Sequence, residues 1–568
     1  MRLYNYNKII MLSIIFLLFS TCFVHISLSK DDNTIKQQNK IVIEGQILYS
    51  PMNDQTTFLI DNTGSVIHTW ESSYSPGQAV YMIEDNFILR TIRKTYNAPG
   101  GAGGGIQKMN WDGDVIWDFN YYNSEHLSHH DVEPLTNGNV LMIAWEYISR
   151  DEAIAAGRNP NFLQGNVLMP DHIIEVEPTG SSSGNIVWEW HVMDHLIQDY
   201  DPTKDNYGVV EDHPELVDFN FGTSNKDWLH CNSIDYNEEF DQILISVHNM
   251  NEIWIIDHST TTEEAAGHAG GNYGMGGDLL YRWGNPLVYR AGTTNDQKLF
   301  NQHDTNWIES GFPGEGNILI FNNGNGRPGV DYSSVDEIIL PVDEFGYYYL
   351  EPGSSYGPDD AVWSYSADNP SSFFAFYISG AQRLKTGNTL ICDGPEGRFF
   401  EVTPEKVTIW EYVNPYPNWF NNNVFKIFYI PNEETPENPD LDCYGNLNWG
   451  DVERGESING SFIVQNIGGT GSLLNWEISE YPEWGTWTFT PESGEGLSPE
   501  DGQITVQVSI ITPLKENTEF EGYIKVINQE NPVDYDIIPV YLKTPRINFV
   551  KEIFTENTKF FQFIFKNI

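Results

Sequence analysis

Positive charge is what this chain has least of. Lysine and arginine together number 30 against 80 aspartates and glutamates, for a formal net charge of −50 at pH 7. A field of that sign repels phosphate backbones and anionic membrane surfaces, which argues against nucleic acid as a partner and makes most carboxylates a solvated face. Cysteine is scarce as well, with four in 568 residues. Cys231, Cys392 and Cys443 follow the leader segment in odd number and without paired spacing, so no disulfide framework is expected, and Cys231 reads as a small buried strand residue. Beyond the N-terminus no apolar run approaches the roughly 20 residues of a membrane-spanning helix. Two suggestive stretches also fall short of a motif. DYDPTKDNYG departs from calcium-loop spacing and reads as an acidic turn, while GGAGGG at 100–105 lacks the helix and lysine of a phosphate cradle.

What is present begins with residues 1–29. Arg2 and Lys8, the run IIMLSIIFLLF and the small residues Ser27 and Ser29 have the form of a secretory signal peptide, so the protein is expected to be secreted, periplasmic or at the cell surface. Cys22 follows that run, but Phe19 and Thr21 fit a lipoprotein cleavage box poorly. Aromatic residues make up 14% of the chain and hydrophobic residues 40%, enough for two or more domains with real cores.

A repeat sets the architecture. FLIDNTGSVIHTW, IQKMNWDGDVIWDF, IIEVEPTGSSSGNIVWEW, IWIIDHST with the later GDLLYRW, YYYLEPGSSYGPDDAVWSY and FFEVTPEKVTIWEY each pair two strands across a turn. The second strand runs through two aliphatics, an aromatic or histidine, any residue, then an aromatic. Alternation is a strand signal, and its return every 45 to 90 residues or so is the spacing of propeller blades with loop insertions. The expected fold is all-β: a six-bladed β-propeller over residues 30–430, with its last sheet completed by strands from both ends, then a small immunoglobulin-like β-sandwich over 440–545. PNEETPENP within 431–439 is a proline-rich acidic linker, 546–568 is an aromatic, lysine-bearing tail, and 147–171, 192–227, 258–277 and 324–346 are loop insertions.

A second repeat carries the chemistry. HDVEPLTNGNVLMI, HCNSIDYNEEFDQILIS and HDTNWIESGFPGEGNILIF align His130, His230 and His303, and SGAQRLKTGNTLI puts Ser379 at that position. Three histidines at one repeat position, on strands that line a central channel, point to chemistry more than to folding. The ends of the second strands deliver Arg90, Arg93, Glu146, His248, residues 322–327 and Arg398 to the same mouth. Three imidazoles and a water are a possible zinc site, but no carboxylate recurs with all three, so direct histidine chemistry ranks above a metal-dependent hydrolase or lyase. A non-catalytic propeller binding a ligand or glycan is the other alternative. No nucleotide site is visible.

HHDVEPLTNGNVL, DWLHCNSIDY, QHDTNWI and SGAQRLKTGNTLI together resemble the PAPS-independent arylsulfotransferases, exported propellers that move a sulfuryl group between phenols; the resemblance spans about residues 40–430. It implies an enzyme without cofactor or metal that acts on a small aryl sulfate donor and a phenolic acceptor. His303 then matches the nucleophile that becomes sulfated, His130 the acid and base, and His230 with Asn232 the pair that holds the sulfate oxygens. The family's arginine position holds His248, which leaves the cation's part to Arg327, Arg398 or a protonated His248.

Overall fold

The computed structural model describes residues 45–546 apart from 84–85, 96–98, 102, 432–437 and 470. The leader with Cys22, most of the linker, and the tail from 547 lie outside the described residues. The chain divides between Ile430 and Pro431 into two compact units, and among the described residues no helix is long and apolar enough to cross a membrane.

The first unit is built of four-stranded antiparallel meanders. In the first, Gly45–Pro51, Thr56–Asp61 and Val66–Glu71 are completed by Val424–Pro431, which returns from the far end to pair with Gly45–Pro51. The second runs from Pro76–Ile83 to Val115–Asn120 and the third from His126–Pro134 to Gly184–His191; a single parallel bridge between Gln78 and His130 makes one eight-stranded sheet of them. The fourth runs from Cys231–Asn237 to Leu279–Trp283, the fifth from His303–Trp307 to Trp363–Tyr365, and the sixth from Gly380–Arg383 to Thr408–Val413. Innermost strands of the second to sixth meanders pack each against the next. Ser379 N–H on Phe425 O and Val424 N–H on Gly394 O join the sixth to the first. The result is an all-β, propeller-like ring.

The outermost strands explain their own sequence pattern. Their two leading aliphatics are exposed in the first three meanders and buried in the fourth, as Leu279 and Leu280, and the aromatic or histidine that follows reaches the next meander's outer turn as a hydrogen-bond donor. His68 Nε2 donates to Trp111 O, Trp117 Nε1 to Ser183 O and Trp188 Nε1 to Thr260 Oγ1. Tyr281 OH donates to Gly357 O, Trp363 Nε1 to Pro404 O, and Trp410 Nε1 to Asn62 O at 2.6 Å. The last of these spans from the final meander to the first, so the series closes on itself.

At the centre a buried cation holds the inner strands. Lys426, on the returning strand, places Nζ 2.8 Å from Asp131 Oδ2 and 3.2 Å from Asp304 Oδ1, and Tyr81 OH donates to Asp131 Oδ1 at 2.7 Å. The same carboxylates link neighbouring strands: Asp131 Oδ2 accepts from Ile234 N–H and Asp304 Oδ2 from Ala381 N–H, while Ser233 Oγ accepts from Thr305 N–H. Those three bonds fix which residues are equivalent around the ring, because Asp131, Ser233 and Asp304 each make the same link. Asn232, rather than His230, is therefore the counterpart of His130, His303 and Ser379. His230 lies two residues earlier, an offset that the unequal hairpin lengths hide in the sequence.

The second unit is two sheets over one core. Leu441–Tyr444, Ser457–Asn466, Ile504–Ile511 and Thr486–Thr490 form one, and five strands centred on Thr518–Asn528 the other. Phe462, Trp476, Val506, Ile524 and Val540 fill the space between.

Removing either device is expected to weaken the ring unequally. Trp410→Phe keeps the ring but loses one neutral hydrogen bond, about 1 kcal/mol. Lys426→Met strands two buried carboxylates and is expected to cost about 3–5 kcal/mol. Urea denaturation of both variants checks this order; equal losses would mean that Lys426 is not the hub.

Candidate active site

The inner strands carry irregularities where the histidines sit. The register of His126–Pro134 slips between Ser128 and Val132, that of Cys231–Asn237 between Cys231 and Ser233, and that of His303–Trp307 between His303 and Thr305. His130, His230, Asp304 and Ser379 have φ of 50°, 56°, 44° and 89°, left-handed values that L-residues avoid outside such bulges. The kinks turn side chains of three different sheets toward one another. Ring centroids run in a chain: His129 to His130 5.1 Å, His130 to His230 4.6 Å, His230 to His248 5.0 Å, His248 to His303 5.3 Å. Phe425 of the returning strand floors the group, 5.9 Å from His130 and 6.3 Å from His303.

Hydrogen bonds assign the protons. Asn323 gives both amide hydrogens to carbonyls, of Ala375 at 2.8 Å and Ile378 at 2.9 Å, so its Oδ1 is what faces His303 Nδ1 at 2.8 Å. His303 therefore carries its proton on Nδ1, and Nε2 is the lone-pair nitrogen of the neutral ring. Burial keeps it neutral, lowering its pKa to about 4. The same logic holds at His248: Asn249 donates to the carbonyls of Asp227 and Trp228 and accepts from His248 Nδ1 at 2.8 Å. Burial first, then His230 and His303, push the His248 pKa well below its ordinary value.

His230 differs. Burial pulls its pKa down, but Asp227, whose Oδ2 lies 2.6 Å from Nδ1, outweighs this and the net shift is upward. Asp227 is held in turn by Trp145 Nε1 on its other oxygen at 3.0 Å. His130 backs onto His129 and Asp171: its Nδ1 lies 2.8 Å from His129 Nδ1, and His129 Nε2 stands 3.1 Å from Asp171 Oδ1, at ion-pair distance but without the alignment of a hydrogen bond. Burial lowers both rings, His129 to about 3, and raises the Asp171 carboxyl well above the usual range.

The glycine-rich stretch at 100–105 covers this site. Gly101 O faces the histidine strand and accepts from His130 N–H at 2.8 Å. A Cβ on Gly101, whose φ is +84°, would stand 1.9 Å from His130 Cε1. Beside it opens a cavity of about 610 Å³ lined by Pro99, Gly100, Lys226, Asp227, His230 and His248 among others. Lys226, exposed at its edge, is the permanent cation of that lining.

Several expectations need correcting. The residue standing in the family's arginine position, His248, is held neutral by burial and by its neighbours instead of supplying a charge. Arg327 turns away: it bonds Ser334 Oγ and lies over the rings of Phe300 and Tyr332. Arg398 pairs with Glu411 and covers Phe400. Arg90 is buried on the carbonyls of Gln55 and Tyr74, and Glu146 faces His191. Asn232 is fully buried, with Nδ2 bonded to Gln302 O, next to His303. His129, Asp171, Asp227 and Lys226 were not singled out from the sequence, where only the doubled histidine of HHDVEP and the DWLH run that places Asp227 three residues before His230 hint at any of them; Asn323 lay within the 322–327 range expected at the mouth, and Gly101 within a stretch weighed only as a phosphate cradle.

Comparison with known proteins identifies the class. The family described as Arylsulfotransferase (ASST) matches residues 31–416, and the chain belongs to it. It is thus a sulfotransferase-like enzyme acting on small molecules. No curated protein matches. Among solved structures, a protein of unknown function from Bacteroides caccae is 11% identical with a TM-score of 0.39, covering 68% of this chain and 99% of its own. Virginiamycin B lyase from Staphylococcus aureus is 8% identical with a TM-score of 0.32, over 65% of this chain and 84% of its own.

Gly101→Ala adds a methyl where His130 stands and in a left-handed backbone. Sulfate transfer is expected to fall at least about tenfold, an added barrier of about 1.4 kcal/mol, with little change in melting temperature. Normal turnover would mean that the loop does not set the His130 ring.

Proposed function

We propose that the protein is an exported aryl-sulfate sulfotransferase that works without PAPS, by double displacement through a sulfohistidine on His303. The six meanders are read as blades of a six-bladed propeller, and the second unit as an immunoglobulin-like sandwich that serves attachment or spacing. The observation that carries the mechanism is the pinned Asn323 amide, which places the proton of the buried, neutral His303 on Nδ1 and its lone pair on Nε2.

In the first half-reaction Nε2 attacks sulfur, the N–S bond forms and the S–O bond to the aryl group breaks. The departing phenolate takes a proton from His130. In the second, the acceptor phenol returns a proton to His130, its oxygen attacks sulfur, and the N–S electron pair goes back to Nε2. Acid and base duties on one ring need a reversible proton store, and the Asp171–His129–His130 relay suits it. With Asp171 protonated, His130 Nε2 carries the proton to give; with Asp171 ionised, the shifted tautomers leave Nε2 as base. Protonated His230, oriented by Asp227, and Lys226 take the part of the family's arginine towards the sulfuryl oxygens. Asn323 also anchors the 373–378 segment, and its exposed Phe374 and Phe376 suit an aryl group.

Brief exposure to a chromogenic aryl sulfate without nucleotide, quenched at alkaline pH, is expected to leave a sulfuryl group on His303, with His303→Ala neither labelled nor active. A label on another residue overturns the assignment.

The pH profile follows from the two charge states. His303 must be neutral, so the rate holds as pH falls until about pH 4, where the ring protonates. His230 must be cationic, so the rate declines on the alkaline side as it loses its proton, with an apparent pKa belonging to the coupled cluster. Asp227→Asn removes the anion that raises His230 and is expected to shift the alkaline limb to lower pH while the acid limb stays. An unmoved alkaline limb would mean that His230 is not the cation.

A further inference from the structure

A second histidine cluster lies away from the channel, between the outermost strands of the third and fourth meanders. His195 is buried beside the short parallel pair Leu196–Ile197 and Val217–Asp218. Asp278 is buried immediately before the outermost strand Leu279–Trp283, and His268 stands in the glycine-rich segment between them. His195 Nδ1 and His268 Nδ1 both lie 2.8 Å from the same oxygen, Asp278 Oδ1. One ligand atom from each of the three residues falls within 4.8 Å of the others.

Proton accounting makes this arrangement unusual. His195 Nε2 lies 2.8 Å from the carbonyl of Ala265, while its Nδ1 faces the carboxylate. A carbonyl and a carboxylate only accept, so a neutral imidazole satisfies one of them and turns a lone pair on the other. A cation at the Nδ1 side removes the conflict at His195 and takes the Nδ1 of His268 as a second nitrogen ligand. It leaves His195 Nε2–H donating to a backbone carbonyl, the outer bond that metal-bound histidines characteristically make. The ring is held for that purpose. Trp190 stacks on it at 5.5 Å and 3°, and its Nε1 donates to Gly277 O at 2.7 Å. A Cβ on Gly277 would stand 2.6 Å from His195 Nε2, so the residue before Asp278 has no room for a side chain.

We propose that His195, His268 and Asp278 bind a divalent transition metal of the zinc class, with solvent on the side that the exposed His268 leaves open. Two imidazoles and a carboxylate select zinc-like ions over calcium or magnesium, which prefer all-oxygen sites. The ion fastens the glycine-rich insertion at 266–278, whose Gly270, Gly271, Gly274 and Gly276 all have positive φ, to the strands that flank it. This site is independent of sulfate transfer.

The test uses the full chain after dialysis against a chelator, titrated with Co²⁺ as a visible-absorbing probe and then with Zn²⁺. One equivalent is expected to bind with d–d bands, to be displaced by zinc, and to raise the melting temperature. His303→Ala should retain that equivalent. His268→Ala, at an exposed ring, and Asp278→Asn should lose it, His268→Ala with an unchanged metal-free melting temperature. Absence of binding in the parent chain, an undiminished equivalent in His268→Ala, or its loss in His303→Ala instead would overturn the proposal.

Discussion

The ring of aromatic donors on the outer strands is the constraint on which the rest of the first unit depends. Each meander alone buries little on its flanks, and each third-position side chain ties it to the next through one bond to an outer turn. Trp410 to Asn62 closes the series across 348 residues. Closing so long a loop costs entropy only logarithmically with its length, so a modest set of local bonds suffices once the returning strand has docked. The two outer tryptophan and tyrosine positions also bury large apolar rings where neighbouring meanders meet, which supplies the area that isolated hydrogen bonds lack.

The returning strand ties closure to chemistry. Lys426 neutralises Asp131 and Asp304, and those carboxylates bridge to the backbone of neighbouring inner strands. One residue earlier, Phe425 lies against His130 and His303. The bulges that turn the histidines inward begin one residue from these same carboxylates, so the geometry of the site is set by how the ring closes and not by any single meander. Strained left-handed residues at His130 and His230 are tolerated because their neighbours are held: His129 and Asp131 by side-chain contacts, Leu229 O by Asn249 N–H and Cys231 N–H by Asp171.

Charge in the site is handled differently from the arrangement an arginine would provide. In the proposed reading a titrating ring, its pKa raised by Asp227, and a lysine at the rim stand where the family has a permanent guanidinium. That choice fits a strongly acidic chain, whose general field opposes anionic substrates; local positive charge has to be concentrated at the mouth. It also separates the roles of rings that are within contact of one another: burial lowers the pKa of His303, which has only uncharged acceptors such as Asn323 to oppose it, whereas the Asp227 carboxylate turns the shift of His230 upward.

Fold and site were legible to different depths. The outer-strand pattern was readable because each repeat needs the same local alternation and the same donor at its third position, and both are written in residues a few positions apart. The candidate histidines were readable as repeated exceptions. What could not be read is their register: His230 takes its place through a bulge two residues ahead of the position that matches His130, and only the inter-strand bonds of Asp131, Ser233 and Asp304 reveal it. Arg327 and Arg398 were placed at the mouth by strand direction, which gives the level of a side chain but not the neighbour it turns to, and both found closer aromatic and acidic partners. Asn323, Asp227, His129 and Asp171 set the hydrogen bonding of the rings, and Gly101 and Lys426 their positions; Asp171, Gly101 and Lys426 are brought to the histidines from distant chain segments, while His129 and Asp227 lie beside them in sequence but are aimed by the bulges. The sequence by itself determined the repeating β unit and the residues able to do the chemistry, because those depend on local periodicity and functional-group identity. The tertiary structure alone decided which ring is neutral, which is charged and which arginines take no part, because burial and hydrogen-bond partners arise only when separate strands are brought together.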